Sequence, residues 1–187
     1  MDRHKNIPVG YSNIHDIISE FKKGKMIVLP SSSSTVKTDL AIDITNHMAI
    51  TEGKTVLYFS LKMSKEQLTR CLICSLAKTS EKDFYDNKFD ETEFNDKWNK
   101  VIKAASELQG GNVFIDSTPD LSINDLRAKV LKLNRQTGLD LIVIDDLQLM
   151  KGDIDLNDIK LVEVCKISSG IKALAKESDI PILVLEI

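Results

Sequence analysis

A lysine–threonine pair near the start of the chain is the feature best suited to phosphate chemistry. Lys37 and Thr38 follow an apolar run at residues 26–30 and a short loop of small residues, and they open a stretch with helical periodicity. In a phosphate-binding loop, backbone N–H groups and a helix N-terminus point at the anion. The lysine adds a positive charge, and the hydroxyl after it holds Mg²⁺. The layout is therefore that of a strand, a phosphate-binding loop and a helix.

The loop itself departs from the usual motif. Both glycines of G-x-x-x-x-G-K-S/T are missing, because the eight positions are Ser31, Ser32, Ser33, Ser34, Thr35, Val36, Lys37 and Thr38. Four serines in a row are also typical of a flexible linker. A linker there would separate the first strand from the first helix of one domain. These eight positions are therefore predicted to be a vestigial nucleotide-binding loop.

Strand-like and helix-like segments alternate along the whole chain. Five runs rich in apolar and β-branched residues predict strands at 26–30, 55–60, 112–117, 139–146 and 180–187. Four of them are nearly continuous apolar segments, as in strands buried on both faces. Helical periodicity covers 37–50, 64–78, 91–108, 122–136 and 157–178, with a capping box from Ser64 to Gln67 and a cap at Ser122. This alternation predicts an α/β fold with a parallel sheet and helices on both faces.

Composition limits the partners and the compartment. The 187 residues favour one domain, and a net charge of −3 with no basic stripe argues against strong autonomous DNA binding. The three cysteines are an odd number, and without a signal peptide they predict a reducing, cytoplasmic setting. Cys71 and Cys74 fall in an apolar helical run, so we expect core cysteines rather than a zinc site. No segment is long and apolar enough to predict a membrane span.

Several stretches resemble DnaB-type bacterial replicative helicases. Residues 59–68 (FSLKMSKEQL) resemble their FSLEMS-x-x-QL segment, and residues 141–150 (LIVIDDLQLM) resemble their Walker B strand, LIVIDYLQLM. Shorter matches are similar to IPTGF, IDDTP and LRAK and to the helix after the Walker B strand, at residues 7–11, 115–119, 126–129 and 167–177. The matches are collinear and together cover residues 7–185.

The resemblance implies a RecA-like P-loop NTPase fold that assembles as a hexameric ring. It implies a five-stranded parallel sheet in the order 1-5-4-2-3, with the Walker B strand central. We assign residues 1–25 to a segment that precedes the core and residues 26–187 to a single core domain. Compared with such helicases, we expect the chain to lack the amino-terminal primase-contacting domain. We also expect it to end before the arginine finger and the DNA-contacting loops.

Three departures from the family fall at positions with implied chemical roles, and a fourth places an extra carboxylate beside Asp145. Val36 replaces the glycine before the lysine, and its branched side chain crowds the approach to phosphate. Lys62 replaces the glutamate that the resemblance assigns to activating water, and an ammonium group cannot act as that base. Glu186 and Ile187 stand where the family has Ser-Gln with its γ-phosphate-sensing glutamine, and Asp146 replaces a tyrosine.

Lys37, Thr38 and Asp145 survive from the implied site. Thr38 and Asp145 are the predicted ligands of Mg²⁺, bound weakly if at all, with Asp145 as the Walker B carboxylate. The same residues could instead only cap a helix and end a strand. We favour a collapsed loop in which Lys37 turns toward Asp145, because four serines can bond the backbone of the loop itself.

The sequence predicts a helicase-like core that has lost ATP hydrolysis and has no functional catalytic residue. Such a core would act in DNA replication as a binding or regulatory module on a replicative helicase or another replisome protein, with homo-oligomerisation as a further option. No cofactor is required in this interpretation, and weak binding of ATP and Mg²⁺ is left open. Two alternatives remain: an atypical ATP-binding helicase subunit with residual ATPase activity, and a nucleotide sensor without turnover.

Overall fold

Strands and helices alternate in the structure, a computed structural model that describes residue 17 and residues 21–29, 34–80, 91–151 and 160–185. The strands are β1 (Met26–Leu29), β2 (Val56–Ser60), β3 (Val113–Asp116), β4 (Leu141–Asp145) and β5 (Ile182–Leu185). The helices are α1 (Ser34–Asn46), α2 (Lys65–Ala77), α3 (Glu91–Gly110), α4 (Ile123–Thr137) and α5 (Lys160–Ser178). A π-helical turn (His47–Thr51) continues α1, and a 3-10 turn (Leu147–Leu149) follows β4.

The five strands form one parallel sheet. Their order is β1-β5-β4-β2-β3, which confirms the predicted topology with the Walker B strand at the centre. Such an order requires crossover connections, and the helices between successive strands provide them. The carboxyl ends of all five strands consequently lie along the same edge of the sheet.

A hydrophobic core covers each face of the sheet. Side chains of a strand alternate between the faces, so neighbouring residues of β4 join different cores. Ile142 and Ile144 pack with residues of α4 and α5, such as Leu126 and Ile171. Leu141 and Val143 pack on the other side with residues of α1 and α2, such as Ile44 and Leu72. Every residue of β4 is buried, as the continuous apolar pattern predicts.

The predicted caps of two helices are present. At the start of α2, the Ser64 side chain accepts a hydrogen bond from the Gln67 backbone, and the Gln67 side chain accepts one from the Ser64 backbone. The Ser122 hydroxyl accepts a hydrogen bond from the Asp125 backbone at the start of α4. These bonds satisfy N–H groups that a helix start leaves without intrahelical partners.

Two sequence predictions need correction. Helix α1 begins at Ser34 and not at Lys37, because the last serine of the run can take helical geometry as readily as loop geometry. Cys71 and Cys74 are half-buried, although we expected them in the core. Leu68 and Leu72 of the same helix are fully buried, and Cys71 packs against their core from a partly buried position.

Among the helices of the described ranges, none combines the length and apolarity needed to cross a membrane.

Candidate functional site

The candidate site lies where β2 and β4 end and α1 begins. Asp145 is the last residue of β4 and stands in register with Ser60, the last residue of β2. Thr38 reaches the same place from the second turn of α1. Ligands of open α/β sheets bind in the crevice outside the carboxyl ends of the strands. The predicted site residues of α1 and β4 therefore meet at the expected edge.

The Asp145 carboxylate is buried and is held by two hydroxyl groups. The residue is 2% exposed. The Thr38 hydroxyl donates to Oδ2 of Asp145 with an oxygen–oxygen distance of 3.1 Å. The Tyr58 hydroxyl donates to the same oxygen, also at 3.1 Å. One oxygen of the carboxylate thus receives hydrogen bonds from a helix on one side and from the neighbouring strand on the other.

Opposing effects act on the acidity of this carboxylate. Burial raises the pKa of Asp145, and the nearby charge of Asp146 acts in the same direction. The hydrogen bonds from Tyr58 and Thr38 and the ammonium group of Lys62 lower the pKa of Asp145. The balance leaves it above the ordinary value of an aspartate. Burial, together with the Asp145 carboxylate, raises the pKa of Tyr58 well above its usual range, so the phenol keeps its hydrogen at neutral pH.

Thr38 and Asp145, the two predicted Mg²⁺ ligands, are in contact. Mg²⁺ needs a near-octahedral shell of oxygen atoms. The Thr38 oxygen suits this role, because a hydroxyl that donates its hydrogen keeps its lone pairs. Oδ2 of Asp145 does not, because two hydroxyl hydrogens already point at it. Within the described ranges no three His, Cys, Asp or Glu side chains are grouped to hold a metal ion. The pair fits a hydrogen-bonded cluster better than a tight metal site.

Lys37 and Val36 lie in the first turns of α1. Lys37 is buried, with 2% exposure, and Val36 is half-buried. The prediction that Lys37 turns toward Asp145 remains a prediction.

Only part of the predicted loop can be described. Ser34 and Thr35 have helical backbone, so the predicted phosphate loop becomes helix from Ser34 onward. Ser31, Ser32 and Ser33 lie outside the described residues, as do Glu186 and Ile187.

Lys62 lies at the rim of the site, two residues beyond the end of β2. The backbone N–H of Leu61 donates to the Asp145 carbonyl oxygen at 2.6 Å, which holds this segment beside β4. Lys62 is exposed, and its ammonium group is near enough to lower the pKa of Asp145. A positive charge therefore acts on the Asp145 carboxylate from the position where the resemblance implies a glutamate.

Asp146 has a structural task. It is 5% exposed, and its Oδ1 accepts a hydrogen bond from the Gln148 backbone at 3.1 Å. This bond caps the 3-10 turn that follows β4. The second carboxylate therefore serves the chain's own backbone while its charge acts on Asp145.

Sequence reasoning missed Tyr58. The residue lies in the continuous apolar run VLYFS of β2, a pattern that predicts only a core position. The signal that could have found it is the hydroxyl, because a fully buried tyrosine usually needs a hydrogen-bond partner. Asp145 is the partner that the structure places there.

The five-stranded parallel sheet, in the order β1-β5-β4-β2-β3, defines a RecA-like α/β fold. The sequence model described as "DnaB-like helicase C terminal domain" matches residues 6–186. The chain belongs to this family.

Curated relatives agree with this assignment. The chain is 31% identical over 179 residues to the replicative DNA helicase DnaB of Geobacillus stearothermophilus, which covers 96% of this chain and 38% of the relative. It is 32% identical over 181 residues to a replicative DNA helicase DnaB of Nostoc sp., covering 96% of this chain and 20% of the relative. The chain thus spans less than half the length of these relatives.

Two solved structures share the fold. One is described as an ATPase domain, with a TM-score of 0.78, 21% identity and coverage of 98% of this chain and 64% of that one. The other is described as a DnaB-like replicative helicase and its interactions with primase, with a TM-score of 0.78, 23% identity and coverage of 97% of this chain and 44% of that one.

Proposed function

We propose that this chain is a DnaB-like core that does not turn over ATP. It acts in DNA replication as a binding or regulatory module on a replicative helicase or another replisome protein. The three cysteines are free thiols, which supports a further proposal that the chain works in the reducing cytoplasm.

The position of Lys62 carries this proposal. The family resemblance assigns that position to the glutamate that activates water. A general base must accept a proton at the pH of the reaction, and an ammonium group has no lone pair to do so. Lys62 is held beside Asp145 through the hydrogen bond of Leu61, so its charge acts within the site. Hydrolysis at this site would lack its base.

The fold supports a binding role. The described residues form one five-stranded parallel sheet with a hydrophobic core on each face, although residues of the implied site differ from those of the family. A domain with the packing surfaces of a ring subunit and without its chemistry can join, cap or poison a helicase ring, or recruit a loader or primase. Homo-oligomerisation is part of the same proposal, since ring subunits pack against copies of themselves.

Phosphate release tests the loss of turnover. Purified chain is incubated with ATP and Mg²⁺, with and without single-stranded DNA, beside a DnaB relative as the positive control. We expect release at background level in the chain and in its Lys37→Ala variant. Turnover that Lys37→Ala abolishes would overturn the proposal, because hydrolysis would then depend on the altered loop. It would favour the atypical helicase subunit with residual ATPase activity, whose glutamate a neighbouring subunit would have to supply.

Complex formation tests the binding role. The chain is mixed with the replicative helicase of its own host, and the mixture is followed by size-exclusion chromatography and by a strand-unwinding assay. We expect a stable complex and a changed rate of unwinding, whereas an unrelated protein of similar size leaves the rate unchanged. Separate elution together with an unchanged rate speaks against a helicase as the partner.

A nucleotide sensor without turnover is the second candidate. The contact between Thr38 and Asp145 favours it, because the hydroxyl and the carboxylate implied for nucleotide-bound Mg²⁺ are still side by side. Thermal unfolding with and without ATP and Mg²⁺ distinguishes the candidates. A rise in the unfolding temperature that Lys37→Ala removes would favour the sensor, since a ligand that binds only the folded state stabilises it.

A further inference from the structure

The Tyr58 side chain points along the sheet toward its carboxyl edge. Tyr58 pairs in register with Val143, and Asp145 follows two residues later on the same face of β4. Two residues of a strand rise about 6.6 Å, which is close to the reach of a tyrosine hydroxyl from its Cα. The phenol therefore spans this step and meets Oδ2 of Asp145 at 3.1 Å.

The surroundings of Tyr58 hold its hydroxyl in place. Tyr58 is 0% exposed and belongs to the core between the sheet and helices α1 and α2. Close packing opposes a shift of the whole side chain, and loss of its acceptor would leave a buried polar group unsatisfied. Both effects favour the bond to Asp145 in the folded chain.

The two hydroxyl groups differ in their freedom to move aside for a cation. Thr38 is half-buried, donates to Oδ2 from the second turn of α1, and keeps lone pairs for a cation. Tyr58 donates to the same oxygen from a fully buried position. A cation at Oδ2 must displace at least one of these donors, and the packed core opposes displacement of Tyr58.

We infer that Tyr58 caps Oδ2 of Asp145, one of the two oxygens of the carboxylate for which the resemblance implies a Mg²⁺ contact, so that a protein hydroxyl competes with a cation there. Tyr58 is thus a positioning residue that sets the affinity of this site for divalent cations. The inference rests on the proposed function in one respect, since both concern the same altered site.

Manganese binding to the nucleotide-free chain tests the inference, with Mn²⁺ as the paramagnetic probe in place of Mg²⁺. The wild-type chain, Tyr58→Phe, Asp145→Asn and the double variant are titrated and followed by electron paramagnetic resonance. We expect Tyr58→Phe to bind Mn²⁺ at least about fivefold more tightly than the wild type, because a hydrogen bond to a charged group is lost as a competitor. The gain should vanish in the double variant, which shows that it depends on the carboxylate.

A folded Tyr58→Phe chain with wild-type or weaker Mn²⁺ affinity would contradict the inference, because the hydroxyl would then have no effect on cation binding.

If Tyr58→Phe does not fold, the wild-type chain is labelled with ¹³C at tyrosine Cζ and studied by NMR instead. Millimolar Mg²⁺ should leave the Tyr58 resonance unchanged, and a shift that Asp145→Asn removes would refute the cap. Phosphate release by the wild type is measured separately. Turnover there would contradict the proposed function, whatever the Mn²⁺ affinities show.

Discussion

The ammonium group of Lys129 donates to Oδ2 of Asp116 at 2.6 Å and to the Thr118 hydroxyl at 2.5 Å. These bonds join helix α4 to the carboxyl end of β3, a strand at the edge of the sheet. The Thr118 backbone N–H donates to the other oxygen of Asp116 at 2.9 Å. Partial burial alone would raise the pKa of Asp116, but the bonds from Lys129 and Thr118 outweigh it and hold that pKa below the ordinary value of an aspartate.

The stabilisation by Asp116 should depend on pH in a defined direction. Its pKa is lower in the folded chain than in the unfolded chain, so the stabilisation is complete above the unfolded value and is lost as pH falls through the folded one. Lys129→Met should lower the free energy of unfolding by about 1 kcal/mol at neutral pH, a value reduced for the exposure of the lysine. Urea unfolding measures the loss, and ¹³C carboxyl NMR follows the pKa of Asp116, which should rise in the variant.

Lys132→Met is the matched control, because Lys132 is exposed on the same helix. It should leave the pKa of Asp116 and the free energy of unfolding nearly unchanged. An Asp116 pKa that stays the same in Lys129→Met would show that the hydrogen bonds from Thr118, and not Lys129, depress it.

Two helical glycines should respond in opposite ways to substitution by alanine. A Cβ at Gly170 of α5 would come within 2.6 Å of Cγ1 of Ile123, whereas a Cβ at Gly110 of α3 meets nothing within 4 Å. Gly110→Ala should raise the free energy of unfolding by up to about 1 kcal/mol through helix propensity. Gly170→Ala should lower it by roughly 1–2 kcal/mol, because overpacking exceeds that gain. Chemical denaturation of both variants provides the comparison.

The clash at Gly170 can be checked by removing its partner. In an Ile123→Ala background, Gly170→Ala should no longer destabilise the chain, since Cγ1 of Ile123 is gone. An equal loss of stability in both backgrounds would show that Gly170 is needed for another reason.

The three thiols should react at different rates. Cys165 is exposed on α5, whereas Cys71 and Cys74 are half-buried on α2. Access to the reagent limits the alkylation of a buried thiol. With iodoacetamide under native conditions, mass spectrometry should find Cys165 modified first, and Cys165→Ser should remove the fast phase. Equal rates at all three sites would mean that the α2 thiols become accessible through local opening.

Much of the fold follows from the sequence because burial leaves a clear pattern. The continuous apolar run of β4 indicates a strand covered on both faces, and the structure buries all of its residues. The caps at Ser64 and Ser122 are local interactions, so a few residues suffice to predict them. The strand order came from the family resemblance, since pairing between distant strands leaves no local signal.

The start of α1, the role of Tyr58 and the contact of Thr38 with Asp145 were harder to predict from the sequence. The start of α1 at Ser34 could not be read from a run of serines, which suit loops and helix starts equally. The role of Tyr58 depends on a carboxylate 87 residues away. Hydrophobic pattern assigns such a tyrosine to the core and says nothing of its hydroxyl. The contact of Thr38 with Asp145 was predictable only as a metal pair implied by the family.

The final prediction is that Val36→Gly combined with Lys62→Glu restores nucleotide binding but not hydrolysis. Val36 lies in the first turn of α1, where its branched side chain opposes a close approach of phosphate to the backbone. Glycine removes that obstacle, and the second substitution supplies a carboxylate for water. Turnover also needs positively charged groups that contact the transferring phosphoryl group and stabilise its transition state, and the two substitutions provide none.

A fluorescent, non-hydrolysable ATP analogue with Mg²⁺ should bind to the double variant at least about tenfold more tightly than to the wild type, a gain of ~1.4 kcal/mol. Val36→Gly alone should give most of this gain, and adding Lys37→Ala should abolish it. Phosphate release at the level of a DnaB relative would contradict the prediction, because replacing two side chains would then be enough to restore the catalysis.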